Sequence, residues 1–477
     1  MESRVVLSTL VVDINDPAAD RPGDHLYAQI QQAVDAASPG DTIRVRPGTY
    51  RPVAVAKDRL TIRADDARAV PVVDAAGGLY GIRVQGSGVT VRGLAATGAA
   101  LDSDSENACG FLIEGDNNTI VGNTATANQV GFALFPGAEG NRLLHNTATD
   151  NEDGFVAYRA HNNTWRENVA NANEWGFTLI ESRGSRMQGN TASQNGGGFV
   201  ADQAHDNTWQ GNAAHANELG FTLSESHGSR LVGNTATENE VGFAAHQARN
   251  TTWRGNAAND NERGFFLIEC RGGRLVGNTA HHNRGQGVLV YSSVGITLTA
   301  NAASENGQYG FMLNRSETKA VNSRIRLVAN AADGNKIDGY NLSYFEGMTL
   351  DRNTATGNAR DGIVLAFGGG FDLQGNRATG NARHGIRLRD VAKGTLAGDA
   401  AAGNGSDGFH LMEGTAVSRL SWIVADGNGG WACFVDPTSR IRRTQANRGR
   451  DNTLGGSNVP GIVWLATGPA QARIANH

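Results

Sequence analysis

Acid–base side chains recur at a fixed offset along one part of this 477-residue chain. Four residues after a repeated glycine stand Phe135, Tyr158, Ile180, Asp202, Ser224, His246 and Ile268. One residue further on stand Arg159, Glu181, Gln203, Glu225, Gln247 and Glu269. If the repeats stack, these side chains are neighbours on one flank. Two carboxylates one repeat apart, at roughly 5 Å, suit the acid and nucleophile of glycosidic cleavage. A Tyr or His beside an Arg suits removal of the proton α to a carboxylate, with the Arg neutralising the developing charge. That chemistry eliminates across, or epimerises, a uronate. We therefore expect Tyr158, Arg159, Asp202 and His246 to be catalytic and Glu181, Glu225 and Glu269 to bind substrate. Acid clusters also offer oxygen ligands to Ca²⁺; no other cofactor is expected. The competing reading is a solvated face on which Gln or Arg alternates with Glu, so that like charges do not stack. Gln203 and Gln247 suit it.

Arg315 and Lys319 extend the substrate-binding set. They lie in Asn314–Ser323, the one large insertion in an otherwise regular pattern. Long loops on a rigid scaffold often carry function. With Arg324 and Arg326 this loop has a positive edge suited to an acidic ligand, although a tolerated surface insertion has the same pattern.

The element that must position these groups is the repeat itself. Gly154-Phe155, Gly198-Phe199 and Gly242-Phe243 recur every 44 residues, and Gly176-Phe177, Gly220-Phe221 and Gly264-Phe265 fall midway. A 22-residue unit is too short to bury a core alone, so copies must stack. Its second half, Gly-Asn-Thr-Ala-Thr-x-Asn, is poor helix material. Short β-branched runs broken by Gly and Asn favour strands and turns. The spacing predicts an all-β fold, a single-stranded parallel β-helix of 22–23-residue coils, about sixteen in number.

Period 2 along each strand assigns the faces. Phe132, Phe155, Phe177, Phe199, Phe221 and Phe243 point inward, as do Leu134, Ala157, Leu179, Ala201, Leu223 and Ala245 two residues on. Trp165, Trp209 and Trp253 look like a sugar-stacking row. Their equivalents in other coils are Ile120, Leu143, Met187, Leu231 and Leu275, so the column is apolar throughout and reads as core. Asn columns run from Asn123 to Asn376 and from Asn128 to Asn381. They read as stacked turns, because Asn tolerates left-handed backbone angles and its amide can bond up and down a ladder.

The ends differ from the middle. We expect an N-terminal cap over residues 1–50 with a helix at about 25–37, a β-helix over 51–429, and an irregular C-terminal cap over 430–477. Leu26, Ile30, Ala33, Val34 and Ala37 share one helical face, and a helix there would cover the open end of the stack. The helix leads into Gly40-Asp-Thr-Ile-Arg-Val-Arg-Pro-Gly-Thr-Tyr50.

An Ile-x-x-Ala-Val-x-x-Ala helix followed by Gly-Asp-Thr-Ile-x-Val-x-x-Gly-x-Tyr resembles the N-terminal signature of the pectin-lyase-like right-handed parallel β-helix superfamily. The match spans residues 26–50. The downstream Asn/Gly coils resemble that superfamily's short β-helix repeats, found in carbohydrate-binding modules, sugar hydrolases and copper-site assembly proteins of the NosD type. The resemblance implies a right-handed helix and a sugar or polysaccharide partner. Catalytic motifs of its enzymes are missing. Of the polygalacturonase-like set only Arg324-Ile325-Arg326 approaches Arg-Ile-Lys, and Asp436-Pro437-Thr438 departs from the Asp-Pro-His of mannuronan epimerases, so no catalytic residue carries over. A NosD-type role wants Met and His ligands. With five Met and twelve scattered His, no metal site is expected.

Net charge −5 and pI about 6.2 give no nucleic-acid footprint. Three distant cysteines argue against a disulfide framework. No run is long and apolar enough to span a bilayer, and residues 1–24 lack a signal-peptide pattern. The expectation is a cytoplasmic protein, with the reservation that an exported mature form carrying a start Met would look the same. The leading function is a lyase or epimerase of an acidic sugar or polymer. The alternatives are an intracellular isomerase or cyclase of a small metabolite, and a non-catalytic carbohydrate-binding or scaffold protein. Nothing in the sequence sets the oligomeric state.

Overall fold

A computed structural model describes residues 7–17, 19–20, 25–100, 108–315, 320–460 and 462. Lys319 lies outside them. The fold is a right-handed parallel β-solenoid of about eighteen turns, with a single helix among the described residues. The count exceeds sixteen because the irregular coils near both ends also pair. The chain divides into two compact units, Met1–Asn239 and Glu240–His477. Each contributes nine short strands to a ladder of Thr-Ala-Thr-like segments, from Thr49–Tyr50 to Thr235–Thr237 and from Ala257–Asn259 to Arg448–Arg450.

The expected boundaries at 50 and 429 fall inside these units. Coils run on past 429: Trp431–Val435 pairs with Phe409–Met412, and Arg448–Arg450 pairs with Val424–Asp426. The reason is that Asn428 and Asn452 keep the ladder, with Asn428 Nδ2 donating to Asn452 Oδ1 at 2.8 Å.

The helix is shorter than expected, Ile30–Ala36. Leu26–Tyr27 is instead a strand beside Val11 and Val12. Gln29 starts the helix through a capping box with Gln32, whose Oε1 accepts the Gln29 N–H at 2.8 Å. That pair satisfies two otherwise orphaned donors, so the helix begins at Ile30, four residues after the Leu26 that opens its apolar face.

In the first unit the phenylalanines stack one per coil, with Phe132–Phe155, Phe155–Phe177 and Phe177–Phe199 centroids 4.8, 4.7 and 4.8 Å apart. Trp165, Trp209 and Trp253 are fully buried, as a core column requires. The Asn columns are structural. Asn190 donates its main-chain N–H and its Nδ2 to Asn212 Oδ1, both at 2.9 Å, and its Nδ2 also reaches the Trp165 carbonyl at 2.9 Å. The repeat glycine is required by close approach rather than by backbone angle. A Cβ on Gly198 would lie 2.7 Å from the Gly220 carbonyl oxygen. Cys109, Cys270 and Cys433 are buried and form no disulfide.

Candidate functional site

The flank selected by sequence spacing is only partly assembled. In the first unit Tyr158, Ile180, Asp202 and Ser224 follow one another in register. Ile180 therefore separates Tyr158 from Asp202. Arg159, Glu181, Gln203 and Glu225 occupy left-handed turns at the strand ends, with φ of 48, 48, 48 and 45°. Arg159 lies over the Tyr158 ring at 4.9 Å and grips Glu181 through Nε–Oε2 and Nη2–Oε1 contacts of 2.7 and 3.1 Å. Those hydrogen bonds hold the Glu181 carboxyl below its usual range and the Arg159 guanidinium above its own. Gln203 stands between Glu181 and Glu225, so those two glutamates lie on non-adjacent coils. In the second unit exposed His246 is in register with Ile268. Glu269 accepts a hydrogen bond from Gln247 Nε2 at 3.2 Å. Arg315 stacks over Tyr344 at 4.8 Å.

A different cluster lies in the second unit. The residue just before the repeat glycine is Asp338, Asp361, His384 and Asp407 in four successive coils. These residues are all buried, at 2, 0, 8 and 7% exposure. A hydrogen-bond chain joins them. The Asp361 N–H donates to Asp338 Oδ1 at 3.0 Å, and the His384 N–H to Asp361 Oδ1 at 3.0 Å. The Asp407 N–H donates to His384 Nδ1 at 3.2 Å, and the Trp431 N–H to Asp407 Oδ1 at 2.6 Å.

Three residues after each of these lies a second, outward column in which Asn341, Val364, Arg387 and His410 follow in register. Asn341 Nδ2 donates to Asp338 Oδ2 at 2.9 Å. Arg387 Nη1 lies 3.2 Å from Asp361 Oδ2. His410 Nδ1 lies 2.7 Å from Asp407 Oδ2, and the His384 and His410 ring centroids are 4.1 Å apart.

Electrostatics separates the two ends of this column. Burial pushes the Asp338 carboxyl up. Burial acts on Asp407 too, but the two imidazoles beside its carboxyl, those of His384 and His410, overcome it and hold that carboxyl far below the ordinary range. His384, Asp407 and His410 offer three ligand atoms within 4.8 Å of one another, the one such group among the described residues. Sequence reading missed it because 384, 407 and 410 look scattered. The available signal was the position before the glycine, which turns ionisable in four coils running.

The family model described as "Periplasmic copper-binding protein (NosD)" matches residues 72–249, 222–326 and 320–420. This chain belongs to the NosD family. The family's periplasmic description gives no support to a cytoplasmic location for this NosD-family chain. No helix among its described residues is long and apolar enough to cross a membrane.

No curated protein matches. Among solved structures, the chain is similar to the A-module of the Azotobacter vinelandii mannuronan C-5 epimerase AlgE6 at 16% identity, covering 87% of this chain and 94% of that one, with a TM-score of 0.36. It is similar to the receptor-binding domain of the siphovirus 9NA tailspike at 10% identity, covering 76 and 75%, with a TM-score of 0.46. It is also similar to a PL6 alginate lyase solved with a trisaccharide, at 12% identity, covering 73 and 85%, with a TM-score of 0.39.

The donors in this NosD-family chain fit copper. Two imidazoles and a carboxylate form a mixed nitrogen–oxygen set suited to Cu(II). Asp407 Oδ2 also fixes the His410 ring, lying 2.7 Å from its Nδ1. Thiolate ligation does not fit. Burial pushes all three thiols up to about 12, and protonated thiols are poor ligands.

Proposed function

We propose that this protein binds a transition metal of the copper class through His384, Asp407 and His410. The observation that carries the reading is the convergence of three ligand atoms within 4.8 Å where two stacked coils enter their strands, His384 and Asp407 just before Ile386–Ala397 and Phe409–Met412 and His410 within the latter. The family's copper-binding description supports it. When bound, copper supplies a Lewis-acidic, redox-capable centre. The chain's own contribution is to hold the two rings fixed. Asp407 anchors His410, and the strand register sets His384 one coil away. Titration of metal-free protein with Cu(II), followed by calorimetry, should show one equivalent bound. His384→Ala and His410→Ala should each weaken binding at least about tenfold, while His246→Ala should not. Wild-type protein that takes up no copper, or triad variants that bind as wild type does, would end this reading.

A second reading is favoured by Arg387, a guanidinium whose buried Nε meets no acceptor. In it, the protein acts on an acidic sugar or polysaccharide by β-elimination or C5-epimerisation. Arg387 would neutralise the uronate carboxylate. His410, oriented by Asp407 and one coil from Arg387, would take the α-proton. These residues take the roles first given to Arg159, His246, Tyr158 and Asp202. Incubation with uronate polymers should then yield unsaturated products seen by absorbance, or changed C5 signals by NMR, and both should vanish in Arg387→Gln. Silence across the panel with folded protein rejects this second reading.

A further inference from the structure

We infer that a cavity bordered by Ala320 is a binding pocket for a small acidic, hydroxyl-bearing molecule of the uronic acid or sugar phosphate kind. The cavity is about 350 Å³ and is lined by Gln247, Arg249, Glu269, Arg271, Ser292 and Val294, among others. All of these belong to the second unit. The volume is at the lower end of small-molecule sites and admits about one monosaccharide.

Two short residues make the space. Gln247, Glu269 and Ser292 are equivalents: their main-chain N–H groups donate to the carbonyls of Ile268, Tyr291 and Asn314, one coil on in each case. All three are left-handed, with φ of 52, 53 and 46°. Ser292 thus stands where the two preceding coils place a long polar side chain. Likewise Arg249, Arg271 and Val294 are bridged in register, and Val294 replaces a cation. A coil with both side chains shortened leaves a hole between its neighbours.

Two independent observations point to a ligand in the hole. The Ser292 hydroxyl is buried without a hydrogen-bond partner, and the residue is 8% exposed. Buried hydroxyls are rarely left so. Arg249 and Arg271 are cations on adjacent coils, and neither forms an ion pair among the described residues. Like charges opposite one another are unfavourable, and a bound anion would relieve that repulsion. Glu269 and Gln247 add acceptors and donors for sugar hydroxyls. The chemistry calls for an acid group at the guanidinium pair and hydroxyls toward Glu269, Gln247 and Ser292.

Calorimetric titration of the full chain with D-glucuronate, glucose 6-phosphate, glucose and inorganic phosphate tests this. One or both acidic sugars should bind, which also tells a carboxylate from a phosphate ligand. Glucose and phosphate alone should each bind at least about tenfold more weakly. Ser292→Gln restores the side chain that Gln247 carries at the same backbone angle, so the variant should melt as wild type does yet lose binding. Arg271→Gln should weaken binding about tenfold. His410→Ala should leave it unchanged, which separates this pocket from the His384–Asp407–His410 cluster. No binding of either acidic sugar at millimolar concentration, equal binding of glucose, or full binding by Ser292→Gln would overturn the inference.

Discussion

Trp209→Ala is expected to destabilise the first unit by roughly 3–5 kcal/mol, the usual cost of emptying a large buried aromatic site. Trp209 is fully buried, in register between Met187 and Leu231. Its ring wedges against Phe199 and Phe221 at 6.2 and 6.1 Å, tilted by 46 and 42°. Alanine removes both contacts and leaves a void that flanking coils, held by their Asn ladders, cannot close. Trp209→Leu should cost less than half as much. Leucine fills the same column in the next coil, and it also removes an indole N–H that is buried with no acceptor, a group worth about 1–3 kcal/mol of penalty. Because solenoid coils touch only their neighbours, the loss should be local. Hydrogen exchange should quicken over residues 187–231 while distant coils stay protected. An alanine variant within about 1 kcal/mol of wild type in calorimetry would refute the wedge.

Asp399→Asn should stabilise the second unit above neutral pH and cost about 1 kcal/mol in acid. Asp399 occupies an Asn position of the ladder and is 0% exposed. Its Oδ1 accepts the Asn376 N–H and Nδ2, both at 2.8 Å. Burial pushes its carboxyl up to about 7, against about 3.9 in an unfolded chain. Between those values the folded protein keeps a proton that the unfolded chain has released. The stability of the neutral form is therefore complete below about pH 4 and is lost as pH rises through about 7. Three units amount to a loss on the order of 4 kcal/mol. Asparagine stays neutral at every pH, and its Nδ2 can donate along the ladder as Asn376 does to the Leu350 carbonyl. The Ala397 N–H, which now donates to Asp399 Oδ2 at 3.1 Å, would lose an acceptor at a cost of about 1 kcal/mol. A net gain near 3 kcal/mol is expected at pH 8. Melting temperatures of both proteins at pH 4 and pH 8 decide the matter; an equal difference at the two pH values would mean that Asp399 does not titrate in this window. Asp153, also buried and pushed up to about 7, acts in the same direction in both proteins and cancels from the comparison.

Much of the fold was legible because stacking demands the same residue at the same place in every coil. A glycine is needed wherever the next coil's carbonyl would meet a Cβ, an Asn wherever an amide must bond both ways, and an apolar residue wherever the column faces inward. Those demands write a period into the chain. The helix start was less legible, because the capping box at Gln29 and Gln32 outweighed the apolar pattern that includes Leu26. The C-terminal coils were hidden by irregular spacing, although Asn428 and Asn452 still mark them.

By itself, the sequence determined the coil length, the inward Phe and Trp columns, the structural role of the Asn ladders and the superfamily of the β-helix. Each of these depends on residues that repeat, and repetition survives in one dimension. Only the tertiary structure decided which titratable groups meet. His384 and His410 are distant in the chain, yet one coil of stacking and a three-residue step from Asp407 bring their rings to 4.1 Å. Conversely, Glu181 and Glu225 look like partners in the sequence, and Gln203 separates them in register. The cavity at Ser292 is likewise invisible until the coils on either side are placed, because a hole is defined by what its neighbours keep and it lacks. Chemistry here depends on differences between adjacent coils, and those differences gain meaning only when the coils are stacked.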